Sequence, residues 1–234
     1  MAITSSVLTE GPYSASVSVS ADHPRALLVD GLTAAVAEAP TRIDGTRAVQ
    51  IWLEDAQDDD TALIAHLAAP YRDLLQLRRL LPAEPSGLKT RGFHPETDAD
   101  EWILVNNRAF SWHPEQSGMN RERLADAMKE PWFRNDGFRI LELEDRIAGF
   151  CWTKIHPDEI PMLGEIYVIA VDPDFHGRGL GGPMTLAGLE WLASEGTGVA
   201  NLYVEADNYP ALRTYERLGF TTHTVNRAFT TATP

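Results

Sequence analysis

Hydrophobic and polar positions in the first eighty residues follow two different periods. Residues 13–20 alternate small polar and β-branched residues, as a β-strand does, and residues 24–39 carry apolar residues near helical spacing. The pattern predicts the order strand, helix, strand, helix, strand over residues 13–20, 24–39, 48–54, 61–69 and 74–80. A stretch rich in Pro and Gly, residues 82–87, then predicts a linker.

After the linker the pattern restarts. It predicts helices over residues 97–110, 121–130, 180–194 and 210–218, the last ended by Gly219 at a usual C-cap position. It predicts strands over residues 138–144, 147–155, 165–171, 201–205 and 220–229, with the first two joined by a tight turn at Asp145 and Arg146. Strands that alternate with helices are typical of a layered α/β or α+β domain.

The order of elements in the first half matches the order in about the last seventy residues, which predicts a tandem repeat. The first copy is shorter, so we expect it to have lost its front portion. The expected organisation is a partial domain over residues 1–85 and a complete domain over residues 86–234.

Composition narrows the class of protein. The 234 residues carry 20 Lys and Arg against 34 Asp and Glu, a net charge of −14. Such a surface repels nucleic acid and anionic membranes, so neither is expected as a partner, although backbone amides can still bind a phosphate locally.

Residues 1–20 lack the pattern of a signal peptide, and no stretch has the ~20 apolar residues that span a bilayer. We therefore expect a cytoplasmic, monomeric protein. Cys151 is the single cysteine and lies in an apolar run, which predicts a buried thiol rather than a nucleophile.

The strongest chemical signal is the run VDPDFHGRGLGG over residues 171–182, between a predicted strand and a predicted helix. Its glycines permit a tight turn that directs consecutive N–H groups towards one point beside a helix N-terminus, a geometry that binds phosphate. Arg178 adds a charge that does not depend on pH. The residues alone favour a phosphate-bearing cofactor, with a structural glycine turn as the alternative. No Lys-Ser or Lys-Thr follows, so the run is not a P-loop.

This run resembles the acetyl-CoA pyrophosphate loop of the GNAT acetyltransferases, with His176 in place of the commoner Gln or Arg. The run LYVEADNYPALRTYERLGF over residues 202–220 is similar to the second cofactor segment of that family. The resemblance implies a GNAT fold, acetyl-CoA as acetyl donor and no metal. It implies cofactor contacts from Ile169, Ala170, Val171, His176, Gly177, Arg178, Gly179, Leu180, Gly181, Gly182, Asn208, Tyr209, Pro210, Ala211, Leu212 and Arg213.

Further segments, VNNRAFSWHPEQ at 105–116, CWTKIHPD at 151–158 and LGEIYV at 163–168, resemble a subgroup of tandem GNAT enzymes. That subgroup acetylates the cysteinyl amine of a small thiol precursor built on a sugar and inositol. The resemblance covers residues 91–234 and is weak over residues 1–85, so we expect no cofactor site in the first half.

The resemblance implies Glu165 as the base that takes a proton from the amine, and Tyr215 as the acid that protonates the leaving thiolate. A strand amide around Ile169, Ala170 and Val171 would bind the thioester oxygen. Period-two alternation places Glu165 on one face with Tyr167 and Ile169. The open alternatives are a solvated carboxylate for Glu165 and a core tyrosine for Tyr215.

The resemblance also implies acceptor contacts from Glu115, Lys154, Glu165 and Tyr203. The spacing of His94, His113 and His156, each followed by proline, fits no metal motif and predicts turn residues. Two other functions stay open: an acetyltransferase for another amine or a protein N-terminus, and a non-catalytic CoA-binding module.

Overall fold

The computed structural model describes residues 3–9, 11–42, 45, 47–111 and 118–231. The chain divides into two compact units, and neither is a single continuous segment. The first unit comprises Met1–Leu77, Val204–Leu212 and Thr222–Pro234, and the second comprises Arg78–Tyr203 and Arg213–Thr221. Within the described ranges, no helix has the length and apolar character needed to cross a membrane.

The first unit is built on strands and two helices. Its elements are β1 (Ile3–Val7), β2 (Ala15–Val19), α1 (Leu28–Glu38), β3 (Val49–Leu53), α2 (Asp60–Ile64), β4 (Ala69–Leu80, continuing into the second unit) and, from the end of the chain, β10 (Thr221–Thr230). Strand β2 pairs antiparallel with β1 and parallel with β3, while β10 pairs antiparallel with β3.

Alternate residues of these strands bury a small aliphatic core. In β2 and β3 every second side chain is buried, because successive residues point to opposite faces. Leu28 and Leu32 of α1 cover this face, and Phe229 of β10 packs into the same cluster. The last strand of the chain is therefore part of the core of the first unit.

The second unit contains the remaining elements. They are β5 (Thr90–Gly92), α3 (Pro95–Ala109), α4 (Arg121–Ala127), β6 (Phe138–Leu143), β7 (Arg146–His156), β8 (Leu163–Val171), α5 (Gly181–Ser194), β9 (Val199–Glu205) and α6 (Tyr209–Arg217). The strand order is β9-β8-β7-β6-β5, in which only the β8–β9 pair is parallel. Strand β9 and helix α6 also have residues in the first unit.

Helices α3 and α4 cover one face of β6, β7 and β8 through an aromatic cluster. Phe138 stacks on Phe93 with ring centroids 4.5 Å apart and on Trp152 at 4.6 Å. Trp102 of α3 meets Phe138 edge-on at 5.3 Å. Offset and edge-to-face contacts are the arrangements that aromatic quadrupoles favour, so they hold α3 against the sheet. Leu124 of α4 is buried in the same cluster.

Helix α5 covers the opposite face at short range. A Cβ placed on Gly188 would overlap the sulfur of Cys151 and lie 2.8 Å from Ile166 Cδ1. Glycine at this position therefore allows the helix backbone to approach β7 and β8. Met184, Ala187 and Trp191 of this helix are buried.

The predicted order of elements is confirmed, with local differences. Strands β1 and β5 were missed, since five and three residues give little periodicity. The hairpin turn is formed by Glu144 and Asp145, both at positive φ, rather than by Asp145 and Arg146. Helix α2 ends at Ile64, short of the predicted residue 69, because Pro70 disfavours helix before it.

The predicted linker, residues 82–87, belongs to the second unit. Ser86 donates from its backbone N–H and its hydroxyl to Glu190 of α5, at 2.9 and 2.6 Å. The division into a partial domain ending at residue 85 and a catalytic domain stays a prediction. The compact units add the structural fact that β10 belongs with the first residues of the chain.

Replacing Gly188 by Ala should destabilise the fold. The added methyl has no room against Cys151 and Ile166, so helix and sheet must separate, at about 1–3 kcal/mol in free energy of unfolding. Urea denaturation monitored by tryptophan fluorescence measures this loss. Gly198→Ala is the control, since its Cβ would meet nothing within 4 Å. Equal stability of the two variants would contradict the close packing of α5.

Candidate active site

Strand β8 leads into the glycine loop through a short turn. The 3-10 turn Pro173–Phe175 follows the strand, and α5 begins at Gly181. Gly177 and Gly179 have φ of 79° and 72°, which favour glycine. The N–H groups of residues 177–182 donate to no residue that the structure describes, and a Cβ on Gly177, Gly179 or Gly181 would meet nothing within 4 Å. The loop thus presents free amides around open space, as an anion cradle requires.

Two loop side chains are engaged within the protein. His176 Nε2 lies 2.9 Å from the carbonyl oxygen of Val171. Arg178 donates to Glu144 at 2.7 Å, and its guanidinium lies 4.7 Å from the centroid of the Phe175 ring. The side chains of His176 and Arg178 are both exposed. The backbone amides, rather than the Arg178 side chain, therefore line the inside of the loop.

A network of ion pairs fixes the turn that precedes the loop. Asp172 is fully buried and accepts from the N–H of Asp174 at 2.8 Å and from Arg108 at 3.1 Å. Asp174 pairs with Arg108 and Arg146, both at 2.7 Å. Hydrogen bonds from Arg108 and then Arg146 lower the pKa of Asp174 to about 2. These residues were missed, although the Asp-Pro sequence at 172–173 is a turn signal.

Strand β8 separates from β9 halfway along its length. Its ladder with β7 continues to Val171, but its ladder with β9 covers only the pairs from Leu163 with Val199 to Ile166 with Leu202. The edge of β8 that faces away from β7 therefore has no β9 partner beyond Ile166. Ile169, Ala170 and Val171 lie on this half-buried stretch.

A β-bulge corrects one sequence prediction. Trp152 pairs with Val168 and Thr153 with Ile166, so Tyr167 is an extra residue in β8. The bulge shifts the alternation by one position. Ile169 pairs with Cys151, which faces α5, and so it does not share the face of Glu165 as predicted. Tyr167 remains on the Glu165 side, where its ring packs against Trp132 at 4.9 Å.

Glu165 is a buried carboxylate beside a histidine. It is 8% exposed, which excludes the alternative of a solvated strand-end group. Its Oε2 lies 2.5 Å from Nε2 of His156. A carboxylate removed from water needs such a hydrogen bond, because burying it unpaired is costly. His156 was expected to be a turn residue, but it ends β7 and faces the predicted base.

Lys154 lies directly across the ladder from Glu165, and its ammonium lies over aromatic rings. Nζ is 5.0 Å from the centroid of Trp132 and 5.9 Å from that of Tyr167, a cation–π arrangement. Burial, with a smaller contribution from Glu165, raises the pKa of Tyr167. Lys154, His156 and Trp132 line a cavity of about 530 Å³. Sequence patterns had not indicated Trp132.

Of the other two predicted acceptor residues, the structure describes Tyr203 but not Glu115. Tyr203 of β9 is 42% exposed, two residues beyond Asn201, which pairs with Glu165. Asn201 is 1% exposed and had not been predicted near the site. Glu115 lies outside the described residues.

The described ranges hold no group of three or more metal-ligating side chains. The expectation of no metal nevertheless stays a prediction.

Tyr215 lies on α6 in an apolar setting. Its ring meets Phe220 edge-on at 5.7 Å and is 9% exposed. Burial raises its pKa far above the usual range, so the phenol keeps its proton at neutral pH. The side chain can therefore donate a proton, and it also packs as a core tyrosine would.

The second predicted cofactor segment forms the start of α6. Asn208 accepts from the N–H of Ala211 at 3.3 Å, which caps the helix. Tyr209 and Arg213 are exposed, and Leu212 is half-buried. Residues 208–212 belong to the first compact unit and Arg213 to the second.

The sequence of the chain is similar to those of known acetyltransferases. Residues 102–220 match the acetyltransferase (GNAT) family. The mycothiol acetyltransferase of Mycolicibacterium paratuberculosis is 42% identical over 228 residues, which cover 88% of this chain and 71% of that protein. The mycothiol acetyltransferase of Streptomyces griseus is 45% identical over 168 residues, which cover 69% of this chain and 54% of that protein.

Solved structures show the same fold at lower identity. A GCN5-related N-acetyltransferase from Sphaerobacter thermophilus has a TM-score of 0.72 at 20% identity and covers 97% of this chain and 75% of its own. A tandem GNAT protein from the clavulanic acid biosynthesis pathway has a TM-score of 0.62 at 16% identity, with coverages of 96% and 77%. The predicted GNAT fold is thus confirmed. The shortened first copy stays a prediction.

The ionisation of Asp174 tests the network at the loop. Its carboxyl should titrate at a pH of about 2. Arg108→Gln removes the strongest hydrogen bond to the ionised form, so the pKa should rise towards the ordinary value of 3.8. Carboxyl ¹³C NMR follows the titration. Arg121→Gln is the control because Arg121 pairs with Asp100. An unchanged midpoint in Arg108→Gln would contradict the network.

Proposed function

Because the chain belongs to the GNAT acetyltransferases and, within them, to the mycothiol acetyltransferases, we propose that it acetylates desacetylmycothiol with acetyl-CoA. The acceptor group is the cysteinyl amine, and the products are mycothiol and CoA. The observation that carries the proposal is the arrangement along β8. Its first half holds the buried carboxylate of Glu165, and its end leads into a loop of unpaired amides.

The glycine loop fits the pyrophosphate of acetyl-CoA. Any side chain at Gly177, Gly179 or Gly181 would project into the open space around the free amides. Acetyl-CoA supplies the activated acetyl thioester. We propose that His176–Gly182 bind its pyrophosphate, and that Asn208–Arg213 form the second contact segment. Partial positive charge at the start of α5 adds to the attraction for phosphate.

Three groups of this chain would handle protons and charge. Glu165 supplies the basic group that frees the amine of its proton before attack. An amide on the unpaired edge of β8 around Ile169, Ala170 and Val171 would donate to the oxygen that gains negative charge. Tyr215, protonated at neutral pH, would give its proton to the departing sulfur.

Direct transfer suits this site better than an acetyl-enzyme. Cys151 is fully buried against Gly188 of α5, and burial raises the pKa of its thiol. A thiol in this state is a poor nucleophile, because the thiolate is the reactive form. Attack by the amine itself then remains.

The acceptor would occupy the cavity beside β7. Lys154, Glu165 and Tyr203 carry groups that hydrogen-bond to hydroxyls, which a sugar and an inositol present in number. Glu115 is the fourth residue of this proposal. Monomeric state, cytoplasmic location and the lack of a cofactor site in residues 1–85 stay predictions of the sequence.

Turnover of desacetylmycothiol tests the reaction and the role of Glu165 together. The wild type should release CoA in an acetyl-CoA-dependent manner. Glu165→Gln should lower kcat by roughly 10²–10⁴-fold, most severely near neutral pH, because the amide cannot accept the proton. A thiol-reactive dye measures free CoA. The matched control is Glu122→Gln, an exposed carboxylate of α4.

Two results would count against this reading. If CoA binds but no amine consumes the thioester, the chain is a CoA-binding module. If another amine or a peptide N-terminus turns over and desacetylmycothiol does not, the acceptor is wrong while the acetyltransferase chemistry holds.

Loop geometry yields a prediction about cofactor affinity. Gly179→Ala should weaken acetyl-CoA binding roughly tenfold or more, which corresponds to about 1.4 kcal/mol. The methyl added at position 179 would occupy part of the open space around the loop amides, where the pyrophosphate would bind. Gly87→Ala is the control, since Gly87 also has a positive φ, 69°, and open surroundings. Calorimetry should show lost affinity for Gly179→Ala alone. Equal affinities in the two variants would contradict the cradle.

A further inference from the structure

The proton that leaves the acceptor amine has to reach water, and the surroundings of Glu165 restrict its route. The carboxylate is 8% exposed, and one of its oxygens is 2.5 Å from His156 Nε2. Among the described residues, no other side chain hydrogen-bonds to this carboxylate. The His156 side chain is 30% exposed, against 10% for that of Glu165, and it lines the 530 Å³ cavity. The more accessible member of the pair is therefore the imidazole.

The cation across the ladder does not neutralise the carboxylate directly. Lys154 is paired in register with Glu165, yet its ammonium lies over Trp132, 5.0 Å from the ring centroid. No ion pair joins Lys154 to Glu165 within the described residues. A directly bound ammonium would stabilise the ionised carboxylate and weaken it as a proton acceptor. The charge of Glu165 is thus directed towards the histidine ring.

The proposed function assigns the basic role to Glu165. As a refinement of that role, we propose that Glu165 acts through His156, so that the ring rather than the carboxylate takes the proton from the amine. In the tautomer that this step requires, Nε2 carries the hydrogen and donates it to Oε2 of Glu165, which leaves the lone pair of Nδ1 available to accept a proton. The ammonium form of the acceptor gives one proton to Nδ1, directly or through a water molecule, and becomes the neutral amine. The ring becomes imidazolium beside the carboxylate, and Nδ1 later returns this proton to cavity water.

The physical basis is the same as in other carboxylate–histidine pairs. A buried carboxylate fixes the tautomer and orientation of the ring and stabilises the imidazolium that forms.

Other charged groups around the ring would modulate its protonation. On β7 and β8 these are Lys154 and Tyr167, with Glu130 acting electrostatically on Tyr167. The cavity wall adds Arg134, Asp158 and Glu159. Among the contacts of the described residues, the hydrogen bond to Glu165 at 2.5 Å is the closest polar contact of the ring.

The experiment compares the wild type, His156→Gln and His223→Gln in acetyl transfer to desacetylmycothiol across the pH range. The proposal rests on the proposed function. Glutamine can still donate to Glu165 but cannot accept a proton, so kcat should fall roughly 10²–10⁴-fold, the range of general-base catalysis. The acid limb of the kcat profile should also disappear. His223 is exposed on β10, and its variant should match the wild type.

The outcomes separate the two proposals. If His156→Gln keeps kcat within a few-fold of the wild type and keeps the acid limb, Glu165 alone is the base and this inference fails. If the wild type shows no turnover, the proposed function fails instead. Acetyl-CoA affinity and thermal unfolding of His156→Gln, both expected at wild-type values, distinguish lost proton transfer from misfolding. Restoration of turnover in His156→Ala by added imidazole would support the ring as the proton acceptor.

Discussion

Close contact between α5 and the strands beneath it is the constraint on which the second unit depends. Two glycines lie at the contact between helix and sheet. Gly188 of α5 packs over Cys151 of β7, and a Cβ on Gly164 of β8 would lie 2.8 Å from Leu192 of α5. The helix continues directly from the glycine loop, so its height above β8 also sets where the loop amides point. The packing of the core and the position of the loop amides therefore depend on the same contact between helix and sheet.

Strand β8 packs beneath α5 and also carries residues of the candidate site, including Glu165. Its first four residues are held on both sides, by β7 and by β9, and Glu165 lies in this stretch. Beyond Ile166 the β9 side opens, and the bulge at Tyr167 turns the remaining side chains to new faces. A carboxylate in a fixed setting and a backbone edge free to donate therefore follow each other on one strand. The Lys154 ammonium lies over Trp132 and forms no ion pair with Glu165 among the described residues.

Sequence patterns predicted the features that depend on local chemistry. The glycine loop, the strand that precedes it and the helix that follows were all found, since their signals lie within a dozen residues. The bulge at Tyr167 could not be predicted, because it arises from register with β7. The contact between His156 and Glu165 is a diagonal cross-strand pair and becomes visible only when that register is known. The ion pairs of Asp172 and Asp174 with Arg108 join α3 to a distant turn, so spacing gave no sign of them.

The return of β10 to the first unit has a consequence for biosynthesis. A ribosome completes residues 1–77 early, but Phe229, which fills part of that core, is made 152 residues after residue 77. At about 5–20 residues per second, on the order of ten seconds of translation separate the two. During that interval the edge of β3 lacks its final neighbour, and an unpaired strand edge invites association with other chains. The core of the first unit is therefore completed only when β10 has been synthesised.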